Sequence, residues 1–138
     1  MKKREVPQMS TQEIVRNSDE VKNQPSKTWE RLYAAMHKSV STGKYRIMRE
    51  NNTLFWYRID EPGVAQLTIV NADKPMQFLH NMRGFFKAIQ LAQFHTIYGI
   101  TENPKIIDFL KHSGFPTDVE RLPDLPNGTP QYKGVVHV

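Results

Sequence analysis

The sequence predicts a mixed α/β (α+β) domain: a mostly antiparallel sheet with helices on both faces. Two observations carry this. Between residues 44 and 70, three alternating runs of apolar and aromatic residues succeed one another across short turns, which is the pattern of a strand meander. Beyond them, helical stripes with three- and four-residue spacing alternate with short β-type runs, which adds strand–helix units to the same sheet.

Residues 1–25 read as a polar, charge-rich arm, in which Pro7 and Pro25 bracket a short helix opening at the capping-box pattern Ser10-Thr11-Gln12-Glu13. The arm has few apolar residues to bury, so it is expected to be mobile and to order against a larger protein partner. The domain proper then spans 26–138. Its first helix starts near Ser26, carries Trp29, Leu32, Tyr33, Met36 and Val40 on one stripe, and stops at Gly43. "KYRIMRENNTLFWYRID" predicts a hairpin turning at Asn51-Asn52, since asparagine tolerates positive φ. Alternation sends Phe55 and Tyr57 to one face and Trp56 to the other, so these aromatics read as core rather than as a base-stacking platform.

Pro62-Gly63 turns the chain into "VAQLTIV", the third strand of the meander. A helix follows from about Pro75 to Phe94, with Met76, Leu79, Met82, Phe86 and Ile89 at helical spacing and a proline where the first turn needs no donor. "HTIYGIT" is the next strand. Asn103-Pro104 opens a third helix that Gly114 stops, and "ERLPDLPNGTPQ" is a loop leading to the last strand, "YKGVVHV".

With 138 residues the chain suffices for one ordinary domain. No run approaches a membrane span and no apolar segment follows the basic opening "MKKR", so a cytoplasmic protein is expected. The absence of cysteine excludes disulfides, thiolate metal sites and cysteine nucleophiles. His37, His80, His95, His112 and His137 never fall at the i, i+4 spacing of a zinc helix, so no metal site is expected. No G-x-S-x-G elbow or phosphate-binding P-loop occurs, and Ser113 reads as a helix-end residue. The net charge of +5 permits binding to nucleic acid, but the basic residues are scattered apart from Lys2, Lys3 and Arg4.

The element order, with "NPKIIDFLKHSGF" after the penultimate strand, resembles the GNAT acyltransferase superfamily, which commonly carries N-x-x-A-x-x-x-Y-E-K-x-G-F there. Asn103 falls on the motif's asparagine, and Gly114-Phe115 on its last two positions. The resemblance implies a split between "VAQLTIV" and "HTIYGIT" holding acetyl-coenzyme A. Pantetheine would pair with the first strand and pyrophosphate would sit on the N-terminus of the following helix. Carried onto this chain, it implies Val70, Asn71, Lys74 and Asn103 as cofactor-binding residues if coenzyme A is bound.

Against the family's Q/R-x-x-G-x-G/A, this chain has Asn71-Ala72-Asp73-Lys74-Pro75, without either glycine. Asp73 is expected to be the helix N-cap, occupying the amides a pyrophosphate needs, and Pro75 removes a further donor. A displaced motif at Arg83-Gly84 would leave the stripe of Met76, Leu79 and Met82 unexplained. The family's acidic tyrosine aligns with Leu110, which leaves Tyr98 as a candidate acid and Asp60, Glu61 and Glu102 as candidate bases, none marked as catalytic by the sequence. These departures lead to the expectation of a non-catalytic structural or interaction protein on a degenerate scaffold, without a cofactor. It is similar to compact GNAT-like virion-associated proteins of short-tailed bacteriophages. The alternative is an acetyl-CoA-dependent N-acyltransferase, and the second alternative is a basic nucleic-acid-binding regulator.

Overall fold

The structure is a computed structural model that describes residues 8–22 and 28–138. The elements are α1 (Thr11–Arg16), α2 (Asp19–Lys22), α3 (Trp29–Ser41), β1 (Arg46–Glu50), β2 (Thr53–Glu61) and β3 (Val64–Asn71). They continue with α4 (Pro75–Leu91), β4 (Thr96–Thr101), α5 (Pro104–Lys111), β5 (Thr117–Leu122) and β6 (Gln131–His137). The strands form one six-stranded sheet in the order β1-β2-β3-β4-β6-β5. Every neighbouring pair is antiparallel except β3 and β4, which are parallel. A parallel pair needs a crossover, and α4 supplies it.

Helices cover both faces, as expected. On one face Phe55 and Tyr57 of β2, Leu67 and Ile69 of β3 and Ile97 of β4 pack against α4 and α5. Phe85 is fully buried there and stacks on Phe55 with ring centroids 4.2 Å apart. Burying such a side chain contributes about 1.5–3 kcal/mol. On the other face Leu54 of β2 and Val70 of β3 meet Ile14 and Val15 of α1 and Met36 of α3. Trp56 points this way and donates its indole N–H to the Ser39 hydroxyl at 2.9 Å, so the alternation read along β2 holds.

Two features differ from the sequence reading. The expected arm boundary near Pro25 lies outside the described residues, but within the arm residues 8–22 are packed. The capping box forms as expected, Ser10 and Glu13 bonding each other's backbone amides, and α1 then buries Ile14 and Val15 completely. The few apolar residues of this segment are thus enough to seat it on the sheet. The second difference is β5, a six-residue strand where the sequence suggested no element. It pairs only with β6 at the sheet edge, and its four central residues are exposed, so it lacks the apolar alternation that marks a half-buried strand.

Candidate active site

The parallel pairing of β3 and β4 covers only Val64↔Thr96, Ala65↔Ile97 and Gln66↔Tyr98. The closed end is fixed by the Gly63 carbonyl, which accepts from the amides of His95 (2.9 Å) and Thr96 (3.1 Å). Beyond Gln66 the ladder stops, although β3 runs on to Asn71 and β4 to Thr101. Gly99 is the first position past the ladder, and a Cβ built there would stand 2.4 Å from the Leu67 carbonyl oxygen. Only glycine lets β4 approach β3 this closely before the strands part.

The split opens a groove of about 500 Å³, including its open mouth. Leu67, Ile69, Ile106 and Leu110 give it an apolar wall, while Thr68 and Tyr98 contribute hydroxyl groups. Leu110, at the position of the family's tyrosine, is buried beside Gly134 and offers no proton. Among the described residues, the groove's single ionised lining residue is Glu20, from α2. Sequence reasoning missed it. It sits in a segment read as an arm, and no local pattern marks one glutamate among the charges of residues 10–22.

At the open end of the split, the β3–α4 turn corrects the expected cap. Lys74, not Asp73, is the N-cap of α4, and its side chain makes no capping hydrogen bond. Asp73 turns away: its Oδ2 accepts from the Asn52 amide and from Asn81 Nδ2, both at 2.8 Å. Asn81 is itself buried on α4 and accepts from Asn51 Nδ2 (2.7 Å) and Gln77 Nε2 (2.9 Å). Asn71 completes the network, its Oδ1 accepting from the Thr53 hydroxyl (2.7 Å) and the Asp73 amide (3.0 Å). Among the described residues, the α4 N-terminus therefore has no side-chain cap on the positive end of its dipole, and it has a lysine beside it.

The four expected cofactor residues do not act alike. Val70 is fully buried against α1 and α3, so only its backbone borders the split. Asn71 is buried and committed to the network, donating from Nδ2 to Asp19 at 3.1 Å and to the Asp73 carbonyl at 2.9 Å. Asn103 caps α5 by accepting from the Lys105 amide at 3.0 Å. Lys74 is exposed at the α4 N-terminus. A second opening of about 860 Å³ joins the two helix starts and includes Asp19, Asp73 and Asp108 as well as Lys105.

The structure brings together two of the acid–base candidates. The Tyr98 hydroxyl donates to Asp60, and Arg58 Nε lies 2.8 Å from the other oxygen of the same carboxylate. Arg58 also donates to Gln66 at 2.6 Å. The Tyr98 hydrogen bond first, then that of Arg58, holds the Asp60 carboxyl below its ordinary range, and Asp60 in turn pushes the Tyr98 phenol up. A general base at neutral pH needs a raised carboxyl instead, so Asp60 is unsuited to that role. The lowered Asp60 value means its contribution to stability is present above the usual carboxylate range and is lost as pH falls below it. A carboxyl-carbon NMR titration is expected to place the Asp60 midpoint below the ordinary aspartate value, and Tyr98→Phe to bring it back up. A midpoint unmoved by Tyr98→Phe would show that the pair does not form in solution.

No protein-family model and no curated protein matches this sequence. Solved structures do match. Ribosomal-protein-alanine N-acetyltransferase from Brucella melitensis superposes with TM-score 0.60 at 10% identity, covering 96% of this chain and 98% of that one. Ard1 from Thermoplasma volcanium gives TM-score 0.60 at 14% identity, with 96% of each chain covered. A spermidine N-acetyltransferase from Vibrio cholerae gives 0.54 at 15% identity over 80% of this chain and 75% of the other. The fold is that of the GNAT acetyltransferases. The reading as a non-catalytic, virion-associated protein is corrected by these neighbours, whose names are those of acetyltransferases.

Proposed function

We propose that this chain is an N-acyltransferase that uses acyl-coenzyme A and an amine acceptor. The observation that carries the reading is the split beyond Gln66, with Gly99 at its pivot and an apolar groove opening behind it. A merely inherited sheet would close its ladder and bury that edge, because unpaired strand backbone beside apolar side chains is costly. The neighbours named as N-acetyltransferases support the same reading.

The donor set fits coenzyme A in part. The β3 edge from Leu67 to Asn71, which has no strand partner on the β4 side, suits the amides of a pantetheine arm. The uncapped first turn of α4 and Lys74 suit its phosphates, although Asp19, Asp73 and Asp108 in the same opening make this a weaker anion site than a glycine turn would be. When bound, the cofactor supplies an activated thioester. The protein's own contribution is positional: β3 and β4 hold the donor side, and the apolar wall excludes water. Leu110 provides no acid, and Tyr98 has its proton engaged by Asp60, which suits a reaction driven by proximity more than by proton transfer.

Calorimetric titration with acetyl-coenzyme A tests this. Wild-type protein is expected to bind in the micromolar range, and Lys74→Glu to weaken binding by about tenfold through loss of one cation and gain of one anion beside the phosphates. Lys74 is exposed, so the fold should be unaffected. No heat and no thermal shift with acetyl-coenzyme A at low millimolar concentration would refute the reading.

A further inference from the structure

We propose that the apolar seam behind the split is an acyl-chain pocket, so that the preferred donor carries an acyl group longer than acetyl, and that Leu110 and Gly134 set its depth. This rests on the acyltransferase reading and specifies its donor. Alternation along the two strands gives the groove two unlike sides. Leu67 and Ile69 of β3 and Ile97 of β4 point toward α4 and α5. Thr68, paired with Trp56, and Tyr98, paired with Gln66, point to the opposite face. A thioester in the split thus has a polar mouth on one side, where an amine enters, and hydrocarbon on the other.

The hydrocarbon side is incompletely filled. Leu67, Ile69, Ile106 and Leu110 keep 7–8% of their surface exposed, although they belong to a cluster whose buried α4 members are at 0–1%. Side chains bordering a gap forgo the dispersion contacts they would have across it. An alkyl chain entering there gains those contacts and its own release from water.

The depth of the seam is set at the pivot. With pantetheine along β3 and phosphates at the start of α4, the thioester lies toward Gln66 and Gly99. At that row β4 and β6 both carry glycine, Gly99 being paired with Gly134. Because Gly134 has no side chain, α5 settles onto the sheet: a Cβ built there would stand 2.7 Å from Leu110 Cδ1 and 3.6 Å from Ile107 Cδ1. Leu110 is therefore the floor of the seam. Arg83 of α4 holds α5 in this place by donating to the His112 carbonyl at 2.9 and 3.1 Å.

Acyl transfer joins the amine nitrogen to the thioester carbon as the carbon–sulfur bond breaks, and the proton lost by nitrogen leaves with the thiol. The chain beyond the carbonyl takes no part in that exchange, so its length is selected by the pocket alone. Each methylene buried raises affinity about fourfold.

The test is calorimetric titration of acetyl-, propionyl-, butyryl- and hexanoyl-coenzyme A into wild-type, Gly134→Ala and Leu110→Ala protein. The wild type is expected to bind the butyryl thioester about tenfold or more tighter than the acetyl one. Gly134→Ala, which adds a methyl at the floor against Leu110, is expected to bring that ratio close to one, and Leu110→Ala to move the optimum to hexanoyl. Both substitutions lower stability, but lost stability weakens every thioester alike, so the ratio within each variant is the readout. Equal affinity for acetyl and butyryl thioesters in the wild type, or a ratio that neither substitution moves, overturns the inference. Acetyl-coenzyme A binding without a gain for longer chains refutes this inference alone. Absence of binding by all four thioesters refutes the acyltransferase reading with it.

Discussion

Gly99→Ala is expected to lower affinity for acetyl-coenzyme A by more than about tenfold and to destabilise the fold by about 1–3 kcal/mol, the usual cost of forcing extra volume into a packed site. The added methyl would meet the Leu67 carbonyl oxygen at 2.4 Å, and this obstacle is backbone, not a side chain that can rotate away. Relief requires β4 to move off β3, and the movement falls at the end of a short ladder. Only three residue pairs join the strands, the last being Gln66↔Tyr98, directly beside Gly99. Loss of that pair would lengthen the split toward Gly63 and displace Leu67, which lines the groove. Denaturant midpoints and cofactor titration measure the two effects on one preparation. Gly114→Ala is the control for stability alone, since nothing lies within 4 Å of its added Cβ while its φ of +91° makes alanine strained there. Unchanged stability and affinity in Gly99→Ala would show that the strands have more freedom at the pivot than the close contact implies.

Some of this site was legible in the sequence because its cues are local. The strand meander shows itself by two-residue alternation and α4 by its stripe, whereas the split between "VAQLTIV" and "HTIYGIT" was implied by the family resemblance and by no local pattern. The cap of α4 was not legible. Asp73 before Lys74-Pro75 satisfies the local rule for an N-cap, but Asn52 and Asn81, far away in sequence, offer its carboxylate two donors at 2.8 Å and draw it off the helix. Glu20 and β5 escaped for a related reason. What makes Glu20 distinctive is the groove next to it, and what makes β5 a strand is the edge of β6, neither of which exists until distant segments meet. Local propensity is a weak guide wherever the competing partner is remote.

Ile14→Ala is expected to cost about 2–5 kcal/mol, the range for truncating a large aliphatic side chain in a core. An arm that ordered only on a partner would show no such loss in the isolated protein. Ile14 is fully buried, and with Val15 it fills the cluster formed by Met36, Leu54 and Val70. The six-residue helix that carries it cannot be stable alone, so its seating depends on this contact and on a few hydrogen bonds, including Met9 N–H to Asn52 Oδ1 at 3.0 Å. Gln12→Ala is the matched control on the exposed side of α1 and should stay within about 0.5 kcal/mol of wild type. The functional consequence follows from connectivity: α1 leads through Ser18 into α2, so loosening Ile14 also loosens Glu20. Ile14→Ala is therefore expected to loosen α2 from the end of β3, read as faster amide exchange at residues 19–22, at temperatures where the sheet is still folded. If Ile14→Ala proved as stable as Gln12→Ala, α1 would be a dispensable appendage in solution, and the cover over Leu54 and Val70 would have to come from elsewhere.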